Sequence, residues 1–253
     1  MSRKTILSVI AIMAFPVAAL FAGEEAASPE AQIAKSIDLL VAPTTPYAPS
    51  GRKAAMDFLV QNAAAAANPM IAKLEAAKEP QARLWLLLTF NEFKDTAVLQ
   101  ASAPNFIGLL NEENFTVRYW AIKLLGRMKA KDAAKQLITL LDSKDYLLRR
   151  EAATALGQIG DKAAGDPVLK LIKDEEPTVR AAAADAVAAL EVPGAKAKLI
   201  EALKVKDEKV FVIKSLVKAL EKVAGVPSGI EDADWTGQPN VWQKKLDEWL
   251  KKL

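Results

Sequence analysis

Ten side chains at helical spacing carry most of the chemistry this chain offers: Trp85, Tyr119, Trp120, Lys123, Arg127, Arg150, Glu151, Thr154, Gln158 and Asp185. Aromatic rings beside charges are what protein interfaces use as anchors, because a rigid ring buries a large area and the charges set orientation. Trp85 and Trp120 serve equally well as packing between neighbouring segments, and both readings stand at this level. Catalytic groups are sparse. The chain has no Cys and no His, which removes disulfides, thiolate nucleophiles, Cys-ligated zinc, lipoprotein attachment and the commonest general base. It contains no phosphate-cradling glycine loop, no Gly-x-Ser-x-Gly elbow and no helical pair of metal ligands. Asp232, Asp234, Thr236 and Gly237 open in the manner of a calcium loop, but its twelfth position is Gln243, which lacks the bidentate carboxylate. An acidic turn without metal is expected there. No cofactor is implied, and the chain is not expected to be an enzyme.

What positions these residues is an internal repeat. Arg52, Arg83, Arg118, Arg149 and Arg180 follow one another at steps of 31, 35, 31 and 31 residues, and a fixed period of this length means stacked supersecondary units. Relative to the arginine, places −1, +3, +4, +6, +7 and +10 are apolar in the clearest copies. They are Leu148, Ala152, Ala153, Ala155, Leu156 and Ile159 in one copy and Val179, Ala183, Ala184, Ala186, Val187 and Leu190 in the next. Those offsets draw one buried stripe on a helix. The ten side chains named above lie at +1, +2, +5 and +9, outside the stripe, and are expected to line the concave, partner-binding surface of a stack.

Each unit reads as a helix A, a turn and this helix B. The clearest A helices are expected over 133–141, 166–172 and 195–203. Four residues before the arginine stand Glu79, Asn114, Asp145 and Glu176, with Asp207 in the following copy, where an oxygen can cap helix B. Pro49, Pro80 and Pro177 come next, where a helix tolerates proline best. Gly126 and Gly157 share place +8 and imply close approach of two helices, and Gly160 offers a C-terminal stop. The arginine column itself is expected to brace successive units through hydrogen bonds to neighbouring turns.

Residues 148–160 resemble the short HEAT-like repeat of phycobilisome-lyase-type and other bacterial HEAT proteins. The resemblance runs over about 29–224 and is strongest over 114–190. It implies an all-α, α-α superhelix, a HEAT-like alpha-solenoid of about five to six helical hairpins. Relatives of this kind include bilin lyases or isomerases and alkylpurine DNA glycosylases that use Trp, Asp and Arg, so an enzyme of either type is the alternative to a binding scaffold. A purely structural subunit of an envelope complex is a third.

The ends depart from the template. Residues 1–22 carry Arg3 and Lys4 before an apolar run, the pattern of a signal peptide cleaved after Ala19 or Ala22, with a retained anchor as the alternative. Residues 23–28 read as a flexible mature N-terminus, 29–224 as the repeat array, and 225–253 as an acidic loop and a Trp-containing capping helix with Trp242, Leu246, Trp249 and Leu253 on one face. Phe211 takes the arginine's register in the last unit, which suggests that something covers that unit. Setting Arg3 and Lys4 aside lowers the formal charge of +3 to about +1, well short of a phosphate-neutralising surface. The expectation is an exported, periplasmic or secreted, non-catalytic scaffold for a protein or peptide, with no nucleic-acid partner, no membrane insertion after cleavage and the oligomeric state open.

Overall fold

The computed structural model describes residues 28–42, 49–205, 208–236 and 239–253. The expected signal peptide, residues 23–27 of the expected mature N-terminus, Asp207 and Gly237 lie outside the described residues. Among the described residues the regular structure is entirely helical. The helices run in pairs: α1 (Pro29–Val41) and α2 (Pro49–Gln61), α3 (Ala63–Ala76) and α4 (Pro80–Glu92), α5 (Thr96–Ile107) and α6 (Phe115–Arg127), α7 (Ala134–Leu140) and α8 (Tyr146–Ile159), α9 (Gly165–Lys170) and α10 (Pro177–Leu190), α11 (Ala195–Leu203) and α12 (Val210–Ala224), with α13 (Pro239–Leu250) alone at the end. Six helical hairpins and one further helix match the all-α expectation. The even-numbered helices are the B helices. Contacts divide the chain into two compact units, Met1–Asn105 and Phe106–Leu253.

In the first unit α1 packs on α2, α3 and α4. Leu40, Leu59, Met70, Leu86 and Phe90 are fully buried there, and Phe90 meets Phe93 with ring centroids 5.0 Å apart.

In the second unit the B helices form one layer, α6 on α8, α8 on α10 and α10 on α12, while α7, α9 and α11 back α8, α10 and α12. The alanines and glycines of the stripe explain the closeness of this layer. A methyl group on Gly126 would lie 2.9 Å from Ala155 Cα, and one on Gly157 would lie 3.0 Å from Ala186 Cα. Glycine +8 of one helix thus seats on alanine +6 of the next, twice over, which is the repeat expressed as a contact. Gly160 ends α8 with φ 76°, a left-handed conformation that glycine adopts without Cβ strain.

Helix starts follow side-chain length. Asn114 accepts the Val117 N–H at 3.1 Å and Asp145 accepts the Leu147 N–H at 2.9 Å. Glu79 and Glu176 occupy the same place without a side-chain cap, since the extra methylene of Glu misaligns the carboxylate, and Pro80 and Pro177 leave one N–H fewer to satisfy.

The last unit corrects the expected register. Phe211 is 48% exposed, so it is not a buried position of the last unit. The buried positions of α12 are Val212, Ile213, Leu216, Val217, Ala219 and Leu220, and the N-cap is Lys209, not Asp207. Val212, Leu216, Val217, Ala219 and Leu220 each stand 33 residues after Val179, Ala183, Ala184, Ala186 and Val187. The turn between α11 and α12 therefore carries two residues more than a step of 31, and Ile213 holds the place of the arginine. The ambiguity is physical: 210–213 is apolar at every position, so local pattern does not choose among registers.

Beyond Gly225, which ends α12 at φ 68°, the chain returns through a 3-10 turn at Asp234–Thr236 to α13. Trp242, Leu246 and Trp249 are buried, Trp235 lies against Trp242 at 5.3 Å, and Lys196 of α11 donates to the Leu253 carbonyl at 3.0 Å. Among the described residues no helix is long and apolar enough to cross a membrane.

Candidate functional site

The arginine column is a ladder of backbone contacts with a set rule. Arg83 donates to the carbonyl of Ala77, Arg118 to those of Glu112 and Glu113, Arg149 to Ser143 and Lys144, and Arg180 to Asp174 and Glu175. Each side chain therefore reaches back six, or six and five, residues and closes the turn that precedes its own helix. Arg52 does the same across a longer loop, donating to Leu40 at 3.0 Å and Ala42 at 2.6 Å.

Arg149 and Arg180 also reach forward to a carboxylate of the next hairpin. Arg149 forks onto Asp174 at 2.8 and 2.9 Å, with the side chains 9% and 7% exposed, and that hydrogen bond holds the guanidinium above its ordinary pKa despite burial. Arg180 forks onto Glu208 at 2.6 Å twice. Planar two-point pairing of this kind sets geometry as well as energy.

Burial pushes the Glu208 carboxyl up, but Arg180 and the Lys209 N–H outweigh it, and the net shift is downward. A carboxyl depressed in the folded state stabilises above its unfolded pKa, about 4.3 for Glu, and loses that contribution as pH falls through the folded value. Denaturation curves between about pH 6 and pH 3 should therefore show a steeper loss for the native chain than for Glu208→Gln. Parallel losses would mean the fork adds nothing.

The outward face of the B helices in the second unit carries an aromatic and cationic patch. Phe115 and Tyr119 have centroids 6.1 Å apart, and Tyr119 meets Trp120 edge-on at 5.8 Å. Lys123 Nζ stands 4.6 Å above the Trp120 ring, within cation–π range. From α8, Arg150 donates a long 3.4 Å hydrogen bond to Tyr119 Oη and lies 3.7 Å from Glu151. Burial, reinforced by the Glu151 charge, pushes the Tyr119 phenol up.

The other expected residues differ in exposure. Gln158, Arg127 and Asp185 are exposed. Thr154 is half-buried and returns its hydroxyl to the Arg150 carbonyl at 3.1 Å. Glu151 is a correction: expected on the open surface, it is buried at 9% exposure, beside Tyr119 and Arg150, and is the counter-charge to Arg150. Trp85 belongs to the first unit, half-buried beneath Arg52, whose guanidinium lies 4.8 Å from its ring. Its indole N–H is buried without an acceptor among the described residues, so Trp85 reads as packing.

On α10 the outward positions are Ala181, Ala182, Asp185 and Ala189, a low floor between longer side chains. Desolvation raises the Asp185 pKa, partly offset by Ser215 and Lys218. With the register corrected, α12 presents Lys214, Ser215, Lys218 and Lys222. A sequence step of 31 hides them. The apolar spacing of Val212, Leu216, Val217 and Leu220 is the signal that reveals them. Among the described residues no group of three or more acids is placed to hold a metal.

This architecture matches known proteins. The family model for HEAT repeats matches residues 102–171 and 135–221. A designed armadillo repeat protein in complex with the peptide (KR)4 is similar over 76% of this chain and 99% of its own, at 18% identity and a TM-score of 0.55. The Escherichia coli protein YIBA is similar over 91% and 93% at 18% identity and 0.51. The complex of CpcE and CpcF of phycocyanin lyase from Nostoc sp. PCC7120 covers 90% and 96% at 20% identity and 0.50. Curated proteins give no match. Repeat pattern and stacked hairpins agree: residues 102–221 match the model for HEAT repeats, and the fold is an all-α superhelix of the HEAT and armadillo kind.

Proposed function

We propose that this chain is an exported, non-catalytic scaffold that binds a protein or peptide along the outward face of α6, α8, α10 and α12. The observation that carries the reading is the patch of Tyr119, Trp120, Lys123 and Arg150, in which two aromatic rings and two cations share one face of a HEAT-repeat layer. Rings with adjacent charges are the composition of interface anchors. The designed armadillo protein of similar fold, in complex with a peptide, supports the choice of ligand class. Export rests on the basic and apolar pattern of residues 1–22.

The test is affinity capture from the native envelope fraction with the wild-type chain and with Trp120→Ala/Arg150→Ala, each checked for helical content. Loss of captured partners in the double variant supports the reading; full retention of every partner refutes it. The lyase alternative, suggested by the phycocyanin lyase neighbour, rests on likeness of fold. Purified protein that shows no visible absorbance and takes up no added bilin speaks against it.

A further inference from the structure

The lysines of α12 stand on successive turns of one helix face: Lys214, Lys218 and Lys222. Each faces a carboxylate. Lys214 Nζ meets Asp232 at 2.6 Å, and Lys222 Nζ meets Glu191 at 3.2 Å. Lys218 acts on both Asp232 and Asp185. Asp232 belongs to the chain's own acidic loop between α12 and α13, which is anchored by Glu221 accepting from Ser228 at 2.7 Å and by Lys245 donating to Asp234 at 2.7 Å. The Asp232 side chain is 84% exposed. An exposed pair of this kind contributes little net stability, so a carboxylate from another chain can take the place of Asp232 with little loss.

The inference rests on the binding face argued above and names its ligand. We propose that the lysine row of α12 and the Tyr119–Trp120–Lys123–Arg150 patch are the two ends of one site for an extended acidic peptide, and that the Asp232 loop occupies the α12 end when no partner is bound. The intervening floor of Ala181, Ala182 and Ala189 on α10 has short side chains that leave room for a backbone. Three helix-to-helix steps of about 10 Å separate α6 from α12, and about nine extended residues span that distance. The acidic residues of the ligand pair with the lysines, and an apolar or aromatic residue at its far end packs on Trp120. Asp185 lies exposed on the same face and repels a uniform polyanion, which favours a peptide with spaced carboxylates over a nucleic acid.

The experiment is fluorescence anisotropy on the intact mature chain at low salt, with labelled peptides of about twelve residues. One peptide alternates Glu and Ala and ends in Trp, a second replaces each Glu with Lys, and the third probe is an oligothymidylate of matching length. The Glu peptide is expected to bind and the Lys peptide is not. Lys218→Glu/Lys222→Glu is expected to weaken the Glu peptide by about tenfold. Asp232→Asn is expected to tighten it several-fold, because it removes the resident carboxylate without touching the site, and this gain is a result that a misfolded variant does not give. Tighter binding of oligothymidylate, no preference between the two peptides, or no gain from Asp232→Asn overturns the proposal. If the acidic peptide fails while Trp120→Ala/Arg150→Ala still loses its native partners, the binding face stands and the acidic preference falls.

Discussion

Replacing Arg149 with Met is expected to lower the free energy of unfolding by about 3–5 kcal/mol, the usual effect of removing one member of a buried ion pair. The two side chains are nearly buried, and the fork of 2.8 and 2.9 Å onto Asp174 adds an ionic contact between the α8 and α10 hairpins to the packing of Gly157 on Ala186. Without the guanidinium, Asp174 keeps a desolvated charge with no counter-ion, and the carbonyls of Ser143 and Lys144 lose their donor. Arg118 supplies the comparison, because its guanidinium meets the carbonyls of Glu112 and Glu113 in its own turn. Its place six residues before the next arginine is Ser143, which carries no charge. Arg118→Met should therefore be the milder change in urea denaturation. Joint replacement of Arg149 and Asp174 by Met and Leu should recover most of the loss, since an apolar pair removes the stranded charge. Equal losses at Arg118 and Arg149 would show that the forward fork adds nothing to the joining of the two hairpins.

Gly126→Ala should destabilise by about 1–3 kcal/mol, the usual range for overpacking a tight interface. Helix propensity by itself argues the opposite, since Ala is favoured over Gly in a helix by about 1 kcal/mol. The sign of the result therefore isolates the tertiary contact. The added methyl would stand 2.9 Å from Ala155 Cα and also collide with the Gln158 side chain, so α6 and α8 must separate. Gly108→Ala is the control. No atom lies within 4 Å of the methyl it adds, and it is expected to be neutral or stabilising. A gain in thermal midpoint for Gly126→Ala would mean that the B helices are less closely stacked than this spacing implies.

The candidate site was legible in the sequence to the extent that helical periodicity reports direction. Places +1, +2, +5 and +9 do face outward on α6, where Tyr119, Trp120, Lys123 and Arg127 share one face, and on α10, where Asp185 is exposed. Periodicity does not report depth. Glu151 satisfies the outward pattern and is nonetheless buried, because Tyr119 and Arg150 fold over it. Trp85 satisfies it too and is covered by Arg52. Both cases depend on a long side chain from another helix, Tyr119 or Arg52, whose arrangement no local spacing encodes. The lysine row was missed for a different reason: two additional residues in a charged turn moved the register where the apolar run 210–213 leaves it undetermined.

The sequence by itself determined the class of fold, the identity of the B helices and the place of the arginine ladder. All three follow from a period of 31 residues joined to a helical stripe, and these are local, one-dimensional properties. It also identified Gly126 and Gly157 as points of close approach, because a glycine in a helix that disfavours it needs a reason. Only the tertiary structure decided which rungs of the ladder reach forward, which outward residues are available, and where the last unit sits. Each of these depends on atoms brought together from different hairpins: a carboxylate at Asp174 or Glu208 within reach of the preceding arginine, and a loop whose Asp232 returns to the lysines of α12. Turn length and side-chain reach set those distances, and neither is written in the pattern of any one helix.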